Sequence, residues 1–127
     1  MSIRFDPFEN LIHIRAKVFG PIGSTSLLLA LDTGASSSAI SRERLLSLGY
    51  ELSDSSEGSR IVTGSRVEFA PQITVAKFST LGQQRENFSV LAYDLPLEAG
   101  VDGALGLDFF RGLNLNIDFR NGLITLS

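Results

Sequence analysis

A run of apolar residues, Leu27-Leu28-Leu29-Ala30-Leu31, ends without a break on Asp32-Thr33-Gly34. A strand that is apolar on both faces belongs inside a fold, covered on each side. The junction therefore sets a carboxylate at the end of a buried element. Gly34 permits a tight turn there and lets backbone N–H groups come close to the carboxylate. The competing reading is an Asx-type turn with a solvated Asp. As a bare tripeptide Asp-Thr-Gly would arise by chance in roughly one chain in forty of this length. The strand in front of it is what makes it informative.

The surrounding pattern is mostly β. Alternation from Leu11 to Phe19 stops at Gly20-Pro21-Ile22-Gly23 and resumes from Thr25 to Leu31, which predicts a hairpin. After the small residues Ala35 to Ile40, Ser41 offers an N-cap for a short helix over Arg42 to Leu48, with Gly49 ending it in a left-handed conformation. Glu51 to Ser59 reads as a surface loop. Arg60 to Thr63 and Arg66 to Phe69 flank Gly64-Ser65, predicting an exposed hairpin with a type II′ turn. Further strands are expected over Gln72–Ser79 and Asn87–Ala92, with Pro71 marking an edge or bulge. Beyond the glycine-spaced segment Val101 to Leu107 come a helical turn over Asp108–Arg111, alternation at Leu113, Leu115 and Ile117, a type I′ turn at Asn121-Gly122 and a closing strand, Leu123–Leu126. The two halves echo each other faintly: strands, a glycine-bearing loop (Asp32 to Gly34, then Gly103 to Gly106), and a short helix.

Bulk properties narrow the chemistry. The 127 residues suit one domain, 1–127. A net charge of −3 without a Lys/Arg-rich stripe gives little attraction for nucleic acid or anionic lipid. The absence of Cys removes thiol catalysis and thiolate metal sites, and fits a reducing, cytoplasmic setting. His13 is the only histidine and sits in an alternating strand, so a Ser-His-Asp triad and a zinc site are both poorly supplied, and no cofactor is expected. A Gly-x-Ser-x-Gly elbow is also missing. Met1 to Asp6 lack the basic and apolar segments of a secretory signal, and Leu27–Leu31 is far too short to span a bilayer.

On Asp32-Thr33-Gly34-Ala35-Ser36, the Gly64-centred hairpin, Ala104-Leu105-Gly106 and the ending from Ile117-Asp118-Phe119 to Leu126, the chain resembles the retropepsin-like aspartic proteases, retroviral enzymes and their cellular relatives. The resemblance covers most of the chain. It implies an all-β fold, a closed or partly open barrel with one or two short helices, in a homodimeric acid protease. Retroviral members follow the second-half glycine with Arg-Asn or Arg-Asp; Leu107-Asp108 stands here, so another contact must tie helix to active-site loop.

The family's reaction needs two carboxylates on one water. With a single Asp-Thr-Gly present, the second is expected from an identical subunit acting on a polypeptide substrate. The implied catalytic residues are Asp32, with Thr33 bonding across the dimer axis and Gly34 donating its N–H to the carboxylate. The expected substrate contacts are Ala35, Ile40, Val62, Thr63, Gly64, Ser65 and Leu105, with the Gly64 hairpin folding over an extended peptide. Asp102, Asp108 and Asp118 are read as structural, before a turn, at a helix cap and outward on a strand. The rival reading is a dimerisation or peptide-binding module of this fold without hydrolysis. Ala35 offers Asp32 no hydroxyl, so catalysis is expected to extend to weakly acidic or near-neutral pH, which a pH–rate profile measures; loss of rate above strongly acidic pH with the dimer intact would contradict it.

Overall fold

The computed structural model describes residues 1–52, 58–63 and 66–127. Six strands close on themselves. They are β2 (His13–Gly20), β3 (Gly23–Leu31), β4 (Ala39–Ile40), β6 (Arg66–Thr80), β7 (Gln83–Ala92) and β8 (Gly103–Leu105). In space they run β2-β3-β8-β4-β7-β6, and β6 returns to β2 through Ala16↔Thr80 to Phe19↔Lys77. A further strand, β5 (Gly58–Thr63), pairs only with the first part of β6. A second, antiparallel sheet, β1-β10-β9, joins Ser2–Arg4, Leu123–Leu126 and Leu115–Asp118. Among the described residues there are two short α-helices, α1 (Arg42–Ser47) and α2 (Leu107–Phe110), and a single 3-10 turn, Leu97–Ala99. No helix among the described residues is long and apolar enough to cross a membrane.

Alternation explains the barrel wall. On β2, Ile14, Ala16 and Val18 are buried while Arg15 and Lys17 face outward. On β3, Leu27 and Leu29 fill the core. Phe78 and Phe109, both fully buried, stand 5.6 Å apart between ring centroids, and Ile124 and Leu126 join the terminal sheet to the same cluster. At the seam between β2 and β6, the Tyr50 hydroxyl donates to the Phe19 carbonyl at 2.7 Å and accepts from the Ala76 amide at 2.8 Å.

The expected helix after Ser41 forms. The Ser41 hydroxyl accepts from the Arg44 amide at 3.3 Å, and Gly49 takes φ +92°. Other boundaries differ. β6 is a single strand of 15 residues that passes through Pro71, where two separate strands were expected. Proline is accommodated where β6 changes partner, since β5 pairs up to Pro71 and β7 from Gln72 onward. β7 begins at Gln83 rather than Asn87, because Leu81 and Gly82 both adopt positive φ, 53° and 74°, and make the tight turn themselves. The 118–123 turn is not type I′, since Gly122 has positive φ but Asn121 does not. Asp118 shapes it instead. Its carboxylate accepts from the Asn121 side chain at 2.8 Å and from the amides of Asn121 and Arg120 at 3.0 and 2.9 Å, and these bonds, the Asn121 side chain foremost, hold its pKa below the usual value. The strand Ser2–Arg4 was not anticipated; it is recruited by Leu123–Leu126. The Gly64-Ser65 turn lies outside the described residues.

Gly103 marks the tightest point of the barrel. A Cβ there would sit 2.1 Å from the Ala39 carbonyl oxygen, because β8 is wedged between β3 and β4. Gly103→Ala is expected to destabilise the fold by about 3 kcal/mol, read as a lower urea midpoint. An unchanged midpoint would mean that β4 moves away at no cost.

Candidate active site

β3 carries the chain up to Asp32, and two neighbours fix the end of that strand. The Leu31 amide donates to the Ile12 carbonyl and the Asp32 amide to the Leu105 carbonyl, both at 2.9 Å. Asp32 is thus set between β2 and β8. Its side chain is exposed, as are Thr33 and Gly34. The Gly34 amide donates to one Asp32 carboxylate oxygen at 2.9 Å, the bond expected from the sequence, and the Ala35 amide donates to the Asp32 carbonyl at 3.2 Å.

The second glycine loop packs directly on the first. β3 and β8 run parallel, with Leu31 level with Leu105, so Gly106 arrives beside the segment that follows Gly34. A Cβ on Gly106 would lie 2.8 Å from the Ala35 carbonyl oxygen and 2.8 Å from the Ser37 carbonyl carbon. Glycine is what permits this approach. The Leu107 amide then donates to the Ala35 carbonyl at 2.8 Å.

The contact that ties α2 to the Asp32 loop runs through Ser38 and Asp108. Ser38 is buried. Its amide donates to both Asp108 carboxylate oxygens at 3.0 and 2.9 Å, and its hydroxyl donates to Oδ1 at 2.7 Å while accepting from the Gly106 amide at 2.9 Å. Asp108 was expected to cap α2. That role is corrected: Gly106 occupies the N-cap, and the Asp108 carboxylate turns across to the loop. The cause is the shift of α2 to Leu107–Phe110, which moves Asp108 into the first turn, facing the Ser38 amide.

The other acids are engaged elsewhere. Asp102 accepts from the Leu28 amide at 2.9 Å and pairs with Arg44 at 3.4 Å, bracing β3 against α1. Asp94, absent from the sequence reading, accepts from the Arg42 amide at 2.9 Å. Two expected substrate contacts are also corrected. Ile40 and Leu105 are fully buried core residues, because the strand alternation turns both side chains inward, and they offer no surface to a ligand. Ala35 is half-buried next to the Asp32 loop. Val62 and Thr63 lie on β5 opposite Val67 and Arg66, whereas Gly64 and Ser65 lie outside the described residues. Among the described residues, no three His, Cys, Asp or Glu gather as a metal site.

The family described as Aspartyl protease matches residues 14–109, most of the chain, and the chain belongs to that family. A crystal structure of a retropepsin-like aspartic protease from Rickettsia conorii superposes with a TM-score of 0.75 at 21% identity, covering 99% of this chain and 89% of that one. The EIAV protease complexed with the inhibitor HBY-793 superposes with a TM-score of 0.61 at 20% identity, over 82% of this chain and 88% of its own. The fold is therefore the retropepsin-like β-barrel. No curated protein matches the chain.

Asp108→Ala leaves the Ser38 amide and hydroxyl without their charged acceptor. It is expected to cost roughly 2 kcal/mol or more in denaturant unfolding, since hydrogen bonds to ionised groups lie at the strong end of the range. Ser38→Ala in the same background should then cost less than it does alone, since only the bond from the Gly106 amide remains to be lost. Full additivity would show the two residues to act independently.

Proposed function

We propose that this chain is an aspartic endopeptidase that works as a homodimer, with residues 1–127 forming one protease domain. The observation that carries the reading is the Asp32 carboxylate, exposed at the end of a buried barrel strand and aimed by the Gly34 amide, in a chain with no second Asp-Thr-Gly. A lone exposed carboxylate of this kind is half of a site. A two-fold axis beside it would supply the other half from a second copy. Like charges held that close do not both ionise, so the pair keeps one proton, a sharing taken over from aspartic proteases as a class.

Chemistry follows from that shared proton. The ionised carboxylate removes a proton from a water held between the two, and the water oxygen attacks the scissile carbonyl carbon. The protonated carboxyl donates to the carbonyl oxygen as charge develops there. Collapse breaks the C–N bond, and the leaving nitrogen takes up a proton from the pair, leaving one shared proton again. Thr33 would brace the two loops across the axis. The β5–β6 hairpin would cover the peptide and hydrogen bond to its extended backbone, with Ala35, Val62, Thr63, Gly64 and Ser65 as the contacting residues. The lack of Cys supports action in a reducing compartment such as the cytoplasm.

The test is digestion of a peptide library by the wild type and by Asp32→Asn, each first shown to fold. Cleavage is expected to fall roughly 10³-fold or more in the variant. Specific activity should also drop on dilution through the range where sedimentation shows the dimer dissociating. Peptides retained equally by both proteins and cut by neither would favour the silent binding module. Activity persisting in a strict monomer would remove the shared site.

A further inference from the structure

Arg85, on β7, does something its neighbours on the strand do not. Its guanidinium reaches across to the end of α2, where one nitrogen donates to the Phe109 carbonyl at 2.7 Å and the Arg111 carbonyl at 3.0 Å. The same group lies 5.5 Å from the centroid of the Phe109 ring, which is itself fully buried. Among the described residues no carboxylate pairs with it, and its Nε is the one buried side-chain polar atom there with no hydrogen-bond partner. Half-burying an uncompensated cation and leaving a donor unsatisfied both cost free energy. A residue kept for packing alone would be cheaper as methionine.

We infer that Arg85 is a positioning residue for the Asp32 loop, acting through α2. The helix has only the residues Leu107–Phe110, too few to hold its own orientation by backbone bonds alone. Its N-terminal side is tied to the loop by Asp108, and its C-terminal carbonyls are gathered by Arg85. One guanidinium nitrogen takes both carbonyls while the group lies over the Phe109 ring, so the side chain fixes the rotation of the helix as well as its place. Rotation is the quantity that matters, because it sets where the Asp108 carboxylate meets the Ser38 amide. A barrel strand thereby controls, at second hand, the loop that begins at Asp32. Its consequence for catalysis rests on the protease reading; its structural part does not.

The test compares Arg85→Met, Arg85→Lys and a control on the adjacent exposed position, Glu86→Gln, in the full chain. Two measurements are made: amide hydrogen exchange at Ser38, and kcat and KM on a cleaved peptide. Arg85→Met is expected to speed Ser38 exchange about tenfold and lower kcat roughly 10- to 100-fold with KM within about twofold, as misplacement of a catalytic group does. Arg85→Lys, which keeps a cationic donor but loses the planar group over the Phe109 ring, should fall between, and it serves alone should the methionine variant fail to fold. Glu86→Gln should change neither quantity. Unchanged Ser38 exchange in both Arg85 variants overturns the inference, as does an equal rise in the control. If Ser38 exchange accelerates but even the wild type cuts nothing, the positioning stands and the protease reading falls.

Discussion

Backbone-to-backbone contact between two glycine loops organises this molecule. Gly103 and Gly106 lie against Ala39, Ala35 and Ser37 at distances a side chain would not tolerate. Strands β3 and β8 can therefore lie parallel with Leu31 level with Leu105, and the Asp32 amide reaches the Leu105 carbonyl. Were the loops even one methyl group further apart, Asp32 would lose that anchor and Ser38 would lose the Gly106 amide. The close approach also bears on the packing beneath the loops. Small residues admit the two loops to each other, and Ile40 and Leu105 fill the space below.

On this frame the polar contacts have a division of labour. Asp102 spends its carboxylate on the Leu28 amide and Arg44, holding β3 and α1 to the segment before β8. Asp108 spends its own on Ser38. Asp118 closes the last turn, where three donors favour its ionised form. Asp32 alone of these four meets a single backbone donor at the surface. Hydrogen bonding thus separates four chemically identical side chains into three that meet several donors each and one that meets a single donor.

Much of this was legible in the sequence because it is local. Strand alternation on Ile14 to Val18, the Ser41 cap and the Gly49 stop follow from rules that operate within a few residues. The placement of Asp32 at the end of an apolar strand is likewise a local fact. What escaped depended on partners far along the chain. Pro71 reads as a strand break until β5 and β7 are seen to exchange places beside it. Ser2–Arg4 has no strong strand signal and is ordered by Leu123–Leu126. Asp108 at a helix start reads as a cap, and only the tertiary approach of Ser38 gives it another donor. Ile40 and Leu105 were expected to contact substrate, yet strand alternation turns them inward.

The unbroken course of β6 has a mechanical side. From Arg66 to Thr80 the strand begins in the hairpin with β5 and ends in the seam with β2, where Tyr50 rivets the joint. At about 3.3 Å per residue, such a member is a beam tens of ångströms long. A load applied at its outboard end, such as tension from a bound chain, is carried inboard to the place where the barrel is stitched shut. The β5–β6 hairpin and the closure of the wall are therefore two ends of one girder, and displacement of the first is resisted at the second.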